Sequence, residues 1–171
     1  MEKIITKHLI LREFQDQDAG VLKENWIEYM QTHKVLSAGD LELIEGWVRD
    51  YGSRNYAWVA EHRESGATVG NINVIKMSKK HRYCEVAYTV NLSYRNQGFA
   101  TEMLRGVIEF LLYEKNFHVV EAKHYSDNFI SGKVMKNAGM NKEAELVDRR
   151  YNFKTHKFEN LICYSVISNS E

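Results

Sequence analysis

The chain has no proline, only two cysteines and no net charge, with 23 Lys and Arg against 23 Asp and Glu in 171 residues. Each shortage excludes something. Without proline, and without a Ser- or Gly-rich tract or an internal repeat, nothing marks a linker, so residues 1–171 are expected to form a single domain. Cys84 and Cys163 each sit in an apolar, alternating segment with no CxxC and no Cys/His neighbour at metal-ligand spacing. They read as buried free thiols. His118 and His124 can share a strand face, yet no third ligand accompanies them, and no metal is expected. Zero net charge supplies no global field toward nucleic acid or anionic lipid. The one dense basic stretch, Lys76, Lys79, Lys80, His81 and Arg82, reads as a solvated turn, since useful duplex binding takes about 6–10 phosphate contacts. No apolar run approaches the roughly 20 residues of a membrane span. Residues 1–14 alternate polar and apolar with no small-residue cleavage site after them, so no signal peptide is expected. The resulting expectation is a cytoplasmic protein with neither nucleic acid nor membrane as a partner.

What is present is enough to build a core: 44% of the residues are apolar and 12% aromatic, so no disulfide or metal is required to hold the chain together. Strand periodicity appears over residues 7–13, where Leu9 and Leu11 alternate with polar neighbours, and again over 56–62, 67–77 and 83–90. Residues 64–66, Glu-Ser-Gly, suit a hairpin turn. Helical spacing appears over 18–30 and in a second segment that Asp40 can cap. After residue 90 the period changes. Ala100, Met103, Leu104, Val107, Ile108, Leu111 and Leu112 make one apolar stripe, the strongest helix in the sequence. A strand over 119–125, a helix over 128–138 ended by Gly139, and a terminal hairpin of 146–153 with 161–167 complete the reading. Strand, helix and strand in succession imply a right-handed parallel crossover. The fold class is therefore α/β (α+β), with a central mixed sheet of about seven strands flanked by about four helices and centred on 83–90 and 119–125.

Between the central strand and the long helix runs Tyr94, Arg95, Asn96, Gln97, Gly98, Phe99, Ala100 and Thr101. A strand feeding such a turn exposes unpaired amides at the positive end of a helix dipole, a site for an anion such as a pyrophosphate. Gly98 lets a phosphate approach the backbone and Ala100 keeps the first helical turn narrow. This R-x-x-G-x-A pattern, in its context, resembles the coenzyme A signature of the GNAT acetyltransferase superfamily. The resemblance extends through Cys84 to Tyr88 before it, through Thr101 and Glu102 at the helix start, and through Asn128, Ser131, Val134, Gly139 and Met140 downstream. It is most similar to the Rim-type branch of ribosomal-protein-alanine and small-amine acetyltransferases, and it covers nearly the whole chain.

The resemblance implies a fold, GNAT-like, and a reaction: transfer of an acetyl group from acetyl-CoA, the cosubstrate, to a primary amine. It implies that Arg95, Asn96, Gln97, Gly98, Phe99, Ala100 and Thr101 hold the pyrophosphate through backbone amides. Val90 and its neighbours would pair with the pantetheine arm like an added strand, and Asn128 would hydrogen-bond that arm. Asn128 also reads as an ordinary helix N-cap. Glu85 is the candidate general base. It shares a strand face with Ala87 and Thr89, and a carboxylate withdrawn from water there suits removal of a proton from an ammonium; a structural carboxylate satisfied by a basic neighbour is the other reading. Many superfamily members carry a tyrosine seven residues beyond the position of Asn128 to protonate the leaving thiolate. Here that residue is Met135, which has no proton to give. Ser131 then becomes the candidate acid, or else a helix-surface hydroxyl.

The acceptor is expected between the first two helices, the central strand and the terminal hairpin. Trp26, Tyr29, His33 and Tyr151 are the candidate lining residues, with Trp47, Tyr51 and Phe153 beside them, although aromatics at helical spacing mostly pack inward. The acceptor itself is a small-molecule or peptide amine: a protein N-terminus, an amino acid, a polyamine or an antibiotic. Exposed strands of the terminal hairpin could pair two subunits as a homodimer. The rival reading is a non-catalytic coenzyme A-binding sensor or interaction module with the same fold.

Overall fold

The alternation in residues 83–90 and 119–125 places two strands on either side of the longest apolar helical stripe. In the structure, a computed structural model that describes residues 2–33 and 37–168, these two strands pair in parallel at the middle of the sheet. In chain order the strands are β1 (Ile4–Ile5), β2 (Leu9–Arg12), β3 (Ala57–His62), β4 (Thr68–Ser78), β5 (Tyr83–Val90), β6 (Val119–Tyr125), β7 (Asn141–Asn152) and β8 (Lys157–Ile167). The helices are α1 (Ala19–His33), α2 (Ala38–Tyr51), α3 (Phe99–Glu109) and α4 (Phe129–Asn137). All eight strands join one mixed sheet in the order β1-β2-β3-β4-β5-β6-β8-β7. Every neighbouring pair except β5 and β6 is antiparallel.

The expected count of seven strands rises to eight because β1 is two residues long, too short for a period-two pattern to register. β7 starts at Asn141 instead of residue 146: its charged first residues pair with β8 through the backbone, so Asn141 meets Ser165 and Lys142 meets Tyr164 without any apolar alternation. The cap of α2 is corrected too. Ser37 is the N-cap, and Asp40 is its partner at the third helical position: Asp40 N donates to Ser37 Oγ at 3.3 Å and Ser37 N donates to Asp40 Oδ2 at 2.9 Å. This reciprocal pair satisfies two donors that a lone Asp40 cap would not.

Two cores lie on opposite faces of the sheet. Met103, Leu104, Val107 and Ile108 of α3 pack on Cys84, Val86, Val90, Val120 and Ala122, and the stripe continues through Leu111 and Leu112 in a wider π-type turn, Phe110–Glu114. The other face buries Leu22 of α1 with Ile44, Val48 and Tyr51 of α2 against Ala57 and Val59. The start of α1 is fixed by charge. Asp18, fully buried, accepts from the Arg12 guanidinium at 2.8 and 3.0 Å, from Gln15 N at 2.8 Å and from the Thr68 hydroxyl at 2.8 Å. A buried carboxylate holds only where every lone pair finds such a donor.

Candidate active site

Pairing between β5 and β6 runs from Tyr83↔Val119 to Val86↔Ala122. Past that point β5 stays with β4 as far as Val90, and β6 stays with β8 as far as Tyr125. The central strands part, and among the described residues the β5 edge over 87–90 that faces β6 has no ladder partner. Openings at the carboxyl ends of parallel strands are where ligands enter such sheets. At the mouth lies the expected turn. Asn96 at φ 60° and Gly98 at φ 85° are both left-handed, and Gly98 is the N-cap of α3 with no side-chain cap. The first bond of the helix is Glu102 N to Gly98 O at 3.0 Å. The amides of Phe99, Ala100 and Thr101 therefore precede every intrahelical acceptor and suit an anion at the positive end of the dipole. Any side chain at position 98 would be strained by its backbone angle.

Arg95 belongs to this turn in a way the sequence did not reveal. Its guanidinium forks onto both carboxylate oxygens of Glu28 on α1, and its Nε donates to Val90 O at 3.2 Å. Side-chain charge is thus committed to joining α1 to the turn, and the amides of Phe99, Ala100 and Thr101 are the donors that remain at its helix end. Across the gap, Asn128 is the N-cap of α4, its Oδ1 accepting from Ser131 N at 3.3 Å. The Ser131 carbonyl accepts from the Tyr88 hydroxyl at 3.3 Å, and Met135 is buried in the α3 core one turn further on. Burial pushes the Tyr88 phenol above its ordinary pKa, so it stays protonated. α4 sits close on β6 because Gly132 has no side chain: a Cβ there would lie 2.7 Å from His124 Nε2.

The opposite side of the same strands is polar. Glu85 accepts from Lys123 Nζ at 2.9 Å, and Lys123 Nζ is also 2.9 Å from Glu121, which in turn accepts from the Tyr83 hydroxyl. Burial opposes charge on Lys123, but the two carboxylates outweigh it and hold its pKa above the usual lysine value. It remains an ammonium. Glu85 is thus mostly buried and already carries a basic partner. Higher on this side, α1 ends against the hairpin. Arg150 lies 3.8 Å above the Tyr125 ring and binds Asp127 at 2.8 Å and Glu159, while Asn152 Nδ2 donates to Glu159 at 2.7 Å. Tyr29 joins this group. Withdrawal of its hydroxyl from water raises its pKa, with Arg150 acting in the opposite direction.

Of the acceptor candidates whose side chains are described, Tyr29 stands with this polar group. Trp26 packs edge-on against Trp47 and at a tilt against Tyr51 in the α1–α2 core. Tyr51 is fully buried, its hydroxyl donating to Trp58 O and Ile72 O. Tyr151 faces away from Arg150, clustering with Phe153 and Phe158 on the other side of the hairpin. His33 closes α1, and its side chain lies outside the described residues. Lys123, Asp127, Arg150 and Glu159 escaped the sequence reading because their partners are distant in sequence. Two surface cavities, of about 480 Å³ beside Phe14 and Gly52 and of about 950 Å³ between β1 and α3, contain no residue of the turn or the strand gap. Among the described residues no group of three or more His, Cys, Asp or Glu is arranged to hold a metal ion.

The model of the acetyltransferase (GNAT) domain matches residues 8–141, which include both arms of the gap and the turn. The chain belongs to the GNAT acetyltransferase family. Its enzyme class is that of an acetyl-CoA-dependent N-acetyltransferase. Among curated relatives, the uncharacterized N-acetyltransferase YnaD of Bacillus subtilis is 28% identical over 145 residues, covering 82% of this chain and 83% of the relative. A GNAT-family acetyltransferase from Bacillus anthracis shares the fold with a TM-score of 0.81 at 19% identity, covering 97% of this chain and 98% of that one. RimL, a ribosomal L7/L12 alpha-N-protein acetyltransferase in complex with coenzyme A, shares it with a TM-score of 0.79 at 15% identity, over 99% of this chain and 100% of its own. No described helix is long and apolar enough to cross a membrane.

Proposed function

We propose that residues 1–171 act as one N-acetyltransferase domain in which the amine of the acceptor attacks the thioester carbonyl of acetyl-CoA directly, with both substrates bound. The observation that carries this reading is the parting of β5 and β6 after Val86↔Ala122, beside the left-handed Gly98 turn. The turn amides suit the pyrophosphate, the β5 edge beyond its last pair with β6 suits an extended pantetheine arm, and through the gap that arm would reach the polar side of the sheet. As the nitrogen–carbon bond forms, the carbon–sulfur bond breaks and the thiolate leaves. The amine proton passes to Glu85, directly or through water, and the thiolate takes a proton from Ser131 or from solvent. A thiol with a pKa of about 8.5 is a fair leaving group even without a dedicated acid. The Lys123 ion pair favours a second reading of one residue, in which Glu85 anchors Lys123 and solvent accepts the proton.

The acceptor is a primary amine on a small molecule or peptide; the alpha-N-protein substrate in the name of RimL supports a peptide. A cytoplasmic setting, with no nucleic acid or membrane partner, fits an enzyme with neutral net charge and two free, buried thiols. β7 forms one edge of the sheet, the position from which two copies would pair as a homodimer. Thermal unfolding with and without acetyl-CoA is the first test, followed by thiol release on adding amines. At about 100 times the dissociation constant, binding adds roughly 2.7 kcal/mol, a rise of about 5–10 °C for a chain of this size. Protection with amine-dependent thiol release is the expected outcome. Protection without release would identify the non-catalytic module instead, and no protection would end the reading.

A further inference from the structure

Two side-chain amides in the layer between α1 and the sheet are buried with their nitrogens unpartnered. Asn25 on α1 is 4% exposed and Asn73 on β4 is 5% exposed, and among the described residues the Nδ2 of each has no hydrogen-bond acceptor. Native proteins leave few such donors in the interior, and each unmet one is costly. The neighbouring amide shows that this layer can satisfy its polar groups: Asn71 Nδ2 donates to the Tyr51 hydroxyl at 3.3 Å and Asn71 Oδ1 accepts from the Thr89 hydroxyl at 2.5 Å.

The backbone puts Asn73 one strand from the gap and Asn25 on the helix that packs over β4 and β5. Ile72 and Val74 belong to the α3 core, so Asn71 and Asn73 project to the α1 side of β4. Asn73 lies opposite Ala87, the first residue of β5 beyond its last pair with β6, and on that face the alanine adds only a methyl group. α1 packs over both β4 and β5, and the buried Asn25 follows the buried Leu22 by three positions on its sheet-facing side. The carboxylates that would draw a second ammonium are engaged: Glu28 by Arg95, and Asp127 and Glu159 by Arg150.

We propose that Asn25 and Asn73 form the recognition end of the acceptor site and that their N–H groups hold a carbonyl or carboxylate oxygen next to the amine that is acetylated. The acceptor class is then an α-amino carbonyl compound: an amino acid, its amide or a peptide N-terminus. A protonated polyamine offers donors alone and leaves both N–H groups unmet. This inference rests on the acetyl-transfer reading above.

The test compares alaninamide with 2-aminobutane, which lacks the carbonyl, and with spermidine, by thiol release from acetyl-CoA in the native chain and in Asn25→Leu and Asn73→Leu. Alaninamide should be preferred over 2-aminobutane by tenfold or more in kcat/KM, and each substitution should shrink that ratio about tenfold, the scale of one lost hydrogen bond. Asn73→Asp, which exchanges the donor for an acceptor in the same volume, should move preference toward 1,2-diaminopropane. Protection by acetyl-CoA against thermal unfolding confirms that each variant is folded. Equal use of alaninamide and 2-aminobutane, a preference for spermidine, or a ratio unchanged in folded Leu variants overturns the inference and leaves acetyl transfer standing. Absence of thiol release with every amine overturns both.

Discussion

The two sides of β5 and β6 at the gap differ in almost every respect. Toward α3 and α4 the strands present Cys84, Val86, Val120 and Ala122, all buried, and the polar contacts there pair one side chain with one backbone group: the Tyr88 hydroxyl with the Ser131 carbonyl, and the Asn128 amide oxygen with Ser131 N. Toward α1 and the hairpin the same strands present Tyr83, Glu85, Glu121 and Lys123, and nearly every charge is answered by a specific side chain. On the proposed reading, the contrast teaches how one sheet divides two tasks. A cofactor with phosphates and amides can be read by generic backbone donors on an apolar frame, which tolerates many sequences. A variable acceptor must be read by side chains, and buried side-chain charges require partners to stay in place.

The sharpest way to break this contrast is at Glu85. If that side supplies the base, Glu85→Gln lowers turnover roughly 10²- to 10⁴-fold while acetyl-CoA protection persists. An unchanged pH–rate profile would instead assign the residue to holding Lys123. On the backbone side, Gly98→Val should weaken acetyl-CoA about tenfold or more, since a β-branched residue in a left-handed conformation costs on the order of 1–2 kcal/mol and shifts the amides; calorimetric titration checks it. Side-chain charge pairing can be tested away from the chemistry at Asp18. Asp18→Asn breaks a buried ion pair and should lower stability by about 3–5 kcal/mol in urea unfolding. Burial by itself would raise the Asp18 carboxyl, but the hydrogen bonds from Arg12, Gln15 N and Thr68 outweigh it and lower its pKa. Its stabilisation is therefore complete above the unfolded value of about 3.9 and is lost as pH falls through the lower folded value, so acid unfolding below about pH 4 should be shallower in the variant. The smallest effect is expected at Asn128. Removing the cap by Asn128→Ala costs about 1 kcal/mol, and any loss of acetyl-CoA affinity beyond that would show a second role for its amide.

Legibility followed the range of the interactions. The α3 stripe, the parallel crossover and the Gly98 turn were readable because each is written within a few residues of sequence. Asp40 was read as the cap of α2 because a carboxylate before a helix looks like one; Ser37, three residues earlier, was the true cap, and only the geometry separates the two partners of such a pair. Trp26 and Tyr29 were equal candidates as aromatics on one helix, three positions apart. The structure sends the first into the α2 core and sets the second beside Arg150.

By itself the sequence determined the class of fold, the position of the glycine turn before α3 and the family, since helical period, strand alternation and a glycine at a left-handed position act locally. Tertiary structure decided which charges meet: Glu85 with Lys123, Arg95 with Glu28, and Arg150 with Asp127 and Glu159. It also decided that Asn25 and Asn73, unremarkable in sequence, are buried without partners for their nitrogens among the described residues. The physical reason is that local patterns constrain backbone angles and burial, whereas electrostatic pairing depends on distances between segments that only the packed chain brings together.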